Sequence, residues 1–198
     1  SPISRLPTEL IAYIFILLSN IDRPSYPAAI SGSPTYPCAP TLGWIAVTHV
    51  CRLWREIALD YPSLWANVEF AMGSDWTQLM LARARSSPLA LNMYRPQQRL
   101  RLFQDDEVDL IVQSLARAKE FRFCLAVDAD KTARILRTPA PALETLEIQF
   151  GTDLNEFNSL PQCFLGGHTP FLRHLRLRTV TRFPWTSHLL TNLVTLHV

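Results

Sequence analysis

LETLEI at residues 143–148, LRHLRL at 172–177 and LVTLHV at 193–198 decide the fold. Each sets apolar residues at its first, fourth and sixth positions, so its last residues alternate inward and outward as a half-buried strand does. The pattern recurs upstream as AKEFRF at 118–123, SPLAL ending at Leu91, and WANVEF at 65–70. Successive copies start roughly 20 to 30 residues apart, the period of a leucine-rich type of solenoid. Between them, SDWTQLMLARARSS and DDEVDLIVQSLARAKEF carry helical spacing, the latter through Val108, Ile111, Val112 and Leu115. The expected unit is a strand followed by a returning helix. No such unit buries its apolar face alone, so stacking neighbours builds one continuous core. The intervening residues are expected to face away from it: Asn67 and Glu69, Glu120 and Arg122, Thr145 and Glu147, His174 and Arg176, Thr195 and His197.

The region before Trp65 has a different texture. Leu6, Leu10, Ile11, Ile14, Phe15 and Leu18 recur at intervals of three and four, one face of a helix, with Pro7 placed where a first turn tolerates a missing N–H. Residues 19–43 hold five prolines and two glycines and are read as a long loop. Helical spacing resumes at Trp44 and predicts one helix with Val47, Val50, Cys51, Trp54, Ile57 and Ala58 on a single face, stopped by Pro62. Two such helices joined by a proline loop bury little between them, which leaves apolar side chains for another protein to cover.

The first of these helices, LPTELIAYIF, and the second, VCRLWREIA, together resemble the F-box, the adaptor-binding motif of ubiquitin ligase substrate receptors. With the terminal YPSLW and the proline insertion, the segment is similar to F-box-like domains abundant in fungi. A typical F-box joins its helices through a short segment with a middle helix, whereas here that segment is stretched. The resemblance implies docking on a Skp-type adaptor, and through it on a cullin. Carried over position by position, the adaptor contacts it implies are Leu6, Pro7, Leu10, Ile11, Ile14, Phe15, Val50, Cys51 and Trp54. Trp54 is the expected anchor, since a central aromatic residue often dominates such an interface. Trp65 is expected to pack the junction with the first repeat.

The expected architecture is α+β: a small all-α F-box over residues 1–65, with its insertion at 19–43, then an α/β leucine-rich-repeat solenoid over 66–198. The pattern runs to the last residue, so more repeats are expected beyond Val198. The function expected is that of a substrate receptor of a Skp, cullin and F-box ubiquitin ligase, with an unknown protein substrate held by the repeats. The competing reading is a leucine-rich scaffold or regulatory binder acting outside any ligase.

Other chemistries find little in the chain. Cys38, Cys51, Cys124 and Cys163 form no C-x-x-C pair, and the five histidines have no partner at ligand spacing, so no metal or other cofactor is implied. Reduced thiols point to an intracellular setting, cytoplasmic or nuclear. No nucleophile elbow is present, and Gly166 and Gly167 are not followed by the lysine of a phosphate loop, so catalysis is not expected. A net charge of +2 is too small to imply a polyanion, and no apolar run reaches the length of about 18 residues that spans a membrane. RHLRLRTVTRF gathers Arg173, Arg176, Arg178 and Arg182. Such a run is read first as a solvated strand face, with an acidic-peptide or phosphodegron site and a nucleic-acid contact as the alternatives. Guanidinium groups suit carboxylate and phosphate geometry, which makes Arg122, Arg176 and Arg178 the candidate substrate contacts.

Overall fold

The structure, a computed structural model, describes residues 6–25, 40–94, 104–125, 129–150, 164–167, 169–178 and 190–198. Cys38, Cys163, His168, Arg182, His188 and the middle of the proline insertion lie outside the described residues, as do the side chains of Cys124, Leu125, Ala129 and Phe150. The chain forms two compact units, Ser1–Ser87 and Pro88–Val198. Residues 66–87, which the repeat pattern assigns to the solenoid, lie in the first unit.

In the first unit, helix α1 (Thr8–Ile21) starts directly after Pro7, whose carbonyl accepts from the N–H groups of Leu10 and Ile11. Glu9 in the first turn complements the positive end of the helix. The proline insertion is closed at its base. Ser25 and Thr41 exchange backbone hydrogen bonds of 3.1 and 2.8 Å, and Trp44 N–H donates to the Asp22 carbonyl at 2.7 Å. That closure depends on Gly43: its φ is +53°, and a Cβ there would lie 2.6 Å from the Arg23 carbonyl carbon and from the Asp22 oxygen.

The single helix expected from Trp44 onward is two elements. A 3-10 helix covers Gly43–His49, the chain extends at Cys51 (φ −157°, ψ 170°), and α2 begins anew at Arg52 and runs to Asp60. The break turns Val50 and Cys51 outward, off the face they were expected to share with Val47, Ile57 and Ala58. Pro62 then opens a 3-10 turn, Pro62–Trp65, as its fixed φ favours. Strand β1 (Asn67–Glu69) follows, and α3 (Ser74–Ala84) closes the unit.

This unit holds more core than the sequence promised. Ile11, Ala12, Phe15, Trp44, Ile45, Ile57, Leu64, Trp65, Val68, Phe70 and Met80 are buried. Each large side chain so covered contributes roughly 1.5–3 kcal/mol by removal from water. Trp44 and Trp65 meet edge to face at 5.0 Å, Trp65 Nε1 donates to the Ala58 carbonyl at 2.8 Å, and the Arg83 guanidinium caps the Trp65 ring at 4.2 Å. Burial there lowers the Arg83 pKa. Glu69, expected on an open face, is buried beside Arg23, with Nη1 to Oε1 at 4.0 Å.

The second unit is built on strands β2 (Leu89–Asn92), β3 (Ala118–Leu125), β4 (Thr145–Phe150), β5 (His174–Arg178) and β6 (Thr195–His197), paired in chain order and all parallel. Every copy of the apolar pattern downstream of β1 is therefore a strand. Parallel neighbours need a crossover, and α4 (Asp105–Leu115) and α5 (Ala129–Arg137) lie in the first two. Helix α4 is fixed at its start by a reciprocal cap in which buried Glu107 accepts from the Gln104 N–H at 3.0 Å.

Register aligns like with like. Phe121, Leu146, Leu175 and Leu196 stand side by side across β3–β6, and Phe123, Ile148 and Leu177 form the next apolar row. All but Leu196 are buried. Between these rows lie the polar ones, Glu120–Thr145–His174–Thr195 and Asn92–Arg122–Glu147–Arg176–His197. A one-residue slip would exchange the two sets, so the buried rows fix the register.

Candidate functional surfaces

Helix α1 is apolar on two sides. Ile11 and Phe15 are 2% and 1% exposed, whereas Leu10 and Ile14 are 51% and 47% exposed. Leu10, Ile14, Leu17 and Ile21 follow one another at helical spacing and make an outward stripe about 16 Å long, with Tyr13 beside it and Leu6 and Pro7 at its head. The expected contact set is thus split. Leu6, Pro7, Leu10, Ile14, Val50 and Cys51 are exposed; Ile11 and Phe15 belong to the core of the unit. Trp54 is half-buried and packs edge to face on Phe15 at 5.3 Å, which ties α2 to α1. Tyr13, Leu17, Ile21 and Leu53, which periodicity did not single out, are exposed as well. For the three on α1, a second apolar face on an already amphipathic helix was the signal in the sequence.

Val50 is 62% exposed because the chain breaks there. Beside it, Arg52 Nε donates to Glu56 Oε1 at 2.7 Å, a hydrogen bond that raises the Arg52 pKa. The polar side chains at the start of α2 thereby satisfy each other and leave Val50, Cys51 and Leu53 facing water.

In the second unit the outward residues of the sheet carry charge. Glu147 on β4 sits between two arginines: Arg178 Nε to Glu147 Oε1 is 3.2 Å, and Arg122 Nε to Glu147 Oε2 is 3.8 Å. Arg122 also lies 3.9 Å from Glu120. A cleft of about 250 Å³ opens over these groups, lined among others by Asn92, Tyr94, Arg122, Glu147, Gln149 and Arg178. Arg176, the third candidate, stands next to Glu147 in the same row but is exposed and makes no ion pair with the described residues. The structure thus brings Arg122 and Arg178 together through Glu147, and leaves Arg176 to solvent. Among the described residues, no three metal-ligating side chains cluster, and no helix is long and apolar enough to cross a membrane.

Residues 3–71 match the F-box-like family model. The matched segment takes in α1, the closed base of the insertion, α2 and β1, so the N-terminal part of the chain carries an F-box-like domain, a kind that generally serves as a non-catalytic binding module. No curated protein and no solved structure matches the chain.

Proposed function

We propose that this protein is a substrate receptor of a Skp, cullin and F-box ubiquitin ligase. The F-box-like domain at residues 3–71 favours an adaptor-binding module, and the observation that carries the reading is the outward stripe of α1. Leu10, Ile14, Leu17 and Ile21 stay in water on a unit that already has a complete core, a state that marks an interaction surface. The adaptor contacts we propose are Leu6, Pro7, Leu10 and Ile14 of the first segment and Val50 and Cys51 of the second. Ile11, Phe15 and Trp54 hold that surface in place from beneath.

The second unit, in this reading, is a leucine-rich-repeat-like solenoid. Its support is the chain-ordered parallel sheet, the strand period of roughly 20 to 30 residues and the helices in the crossovers. The open polar face would hold a protein substrate, with Arg122, Arg176 and Arg178 as contacts. Such a receptor performs no chemistry; it raises the effective concentration of substrate lysines near a recruited conjugating enzyme. The test is stepwise reconstitution. The chain is mixed with a Skp-type adaptor and then with a cullin, and the species are followed by size exclusion. A complex of all three supports the receptor reading; a chain–adaptor pair that excludes the cullin would make this a binder outside a ligase.

A further inference from the structure

The chain leaves α3 through a turn that its side chains do not suit. Arg85, directly after the last helical residue, has φ +49° and ψ −121°. Those angles belong to the first central position of a type II′ turn, where glycine is the ordinary occupant because a Cβ is crowded there. The turn is closed by a backbone hydrogen bond from the Ser87 N–H to the Ala84 carbonyl at 2.9 Å. Arg85 and Ser86 at its tip are exposed. Pro88 follows, and a residue before proline is confined to extended angles, so Ser87 already leads out of the turn as open chain. A strained turn on the surface opens readily, since opening releases the strain.

The residues around Ser86 add a charge pattern. RARSS at 83–87 places guanidinium groups three residues and one residue before the Ser86 hydroxyl. No other serine of the chain has an arginine three residues before it. The same spacing precedes Thr8, Thr179 and Thr181, but Thr8 is the first residue of α1, and the other two lie outside the described residues. Arg83 rests on a partner from which it can be drawn. It lies half-buried over the Trp65 ring at 4.2 Å, and burial lowers its pKa. A charge-assisted pair with a phosphate is the stronger interaction for such a guanidinium.

We propose that Ser86 is a phosphoacceptor for an arginine-directed serine kinase, presented by the strained turn, and that its phosphate loosens the last turn of α3. Carboxylates in the substrate cleft of such a kinase pair with Arg83 and Arg85 once the turn opens. The γ-phosphoryl group of ATP passes to Ser86 Oγ. An Oγ–P bond forms, the bond from that phosphorus to the β–γ bridging oxygen breaks, ADP leaves, and the kinase's base takes the hydroxyl proton. The product carries about −1.5 to −2 charges just beyond the end of α3. There it meets the negative end of the helix and competes with Trp65 for Arg83. Both effects weaken the cover over Trp65, which is buried in the unmodified chain. None of this depends on what the first unit binds.

The test uses the full chain, ATP and the catalytic subunit of cyclic-AMP-dependent protein kinase, an arginine-directed enzyme, with incorporated phosphate mapped by mass spectrometry. Wild type is expected to take up a single phosphate, on Ser86, and Ser86→Ala to lose it. Arg85→Ala and Arg85→Gly remove the same charge, but alanine keeps the strain and glycine relieves it. The glycine variant should therefore melt higher than the alanine variant and be phosphorylated roughly fivefold more slowly. Phosphorylated wild type should melt about 2–4 °C below the unmodified chain. Both substituted positions are exposed, so circular dichroism should find every variant folded. Phosphate on Thr8, Thr179 or Thr181 with Ser86 unmodified, equal rates for the two Arg85 variants, or a melt unchanged by phosphorylation would each overturn the proposal. So would the absence of any uptake by wild type.

Discussion

Phe15 and Ile14 are adjacent in sequence and opposite in role, and replacing each in turn separates core from surface. Phe15 is 1% exposed and lies edge-on to Trp54. Its truncation to alanine removes a buried aromatic side chain and leaves a cavity, at a cost of about 3–5 kcal/mol. A domain's whole stability is roughly 5–15 kcal/mol, so a large share of it goes. Ile14→Asp changes an exposed position, with an expected effect of about 0.5 kcal/mol from helix propensity. Urea unfolding followed by tryptophan fluorescence reads the difference, since Trp44, Trp54, Trp65 and Trp76 all lie in the first unit. With a slope of about 1–3 kcal/mol per molar urea, Phe15→Ala should lower the midpoint by on the order of 1–5 M, and Ile14→Asp should barely move it. Adaptor binding should show the reverse order at conditions where both variants are folded. A Phe15→Ala protein of undiminished stability that no longer binds the adaptor would refute the division of α1 into an inner and an outer apolar face.

Three further outcomes follow from the geometry. Gly43→Ala would push a Cβ into the backbone of Asp22 and Arg23 at a positive φ, so the thermal midpoint should fall by an amount equivalent to about 2 kcal/mol or more, while Gly73→Ala, with open space around it, should cost less. The Asp105 carboxyl is held below the ordinary carboxylate range, first by its hydrogen bond to Lys131 and then by that residue's charge. A lowered folded-state pKa means that the stabilisation is present above the unfolded value near 4 and is lost as pH falls through the folded one. Thermal melts of wild type and Lys131→Met should therefore differ at pH 7 and converge in strong acid. Glu107→Ala removes the buried half of the α4 cap and should cost about 1–2 kcal/mol by the same melts.

How much of this was legible in the sequence varied with the element. The strands of the second unit were, because Leu143, Leu146 and Ile148 repeat a spacing that only a half-buried strand next to a tight entry turn requires. Helix α4 was too, through Val108, Ile111 and Leu115. Helix α5 was not, because its few apolar residues, among them buried Ile135 and Leu136, lie in a charged segment, ADKTARILR. Periodicity also failed on α1, where leucine and isoleucine occupy more than one face, so spacing alone cannot say which turns inward. The break at Cys51 was hidden because Val47, Val50, Cys51 and Trp54 keep helical spacing across it. Nothing in that spacing reports that a 3-10 helix, with three residues per turn, has replaced the first half. Glu69 was misread because strand alternation assigns a face without knowing that Arg23 waits there. At the open face, the arginines were legible as candidates, but their inequality was not. That depends on Glu147, which pairs with Arg122 and Arg178 and leaves Arg176 exposed.

On the proposed reading, the outward stripe of α1 meets a Skp-type adaptor. Isothermal titration of the adaptor into wild type and into Leu10→Asp/Ile14→Asp tests it most directly, with circular dichroism to verify that both are folded. Saturable binding to wild type and its loss in the double variant are expected, since two buried carboxylates would have no partners in an apolar interface. Binding of equal affinity in both proteins, or a folded wild type that does not bind, would contradict it.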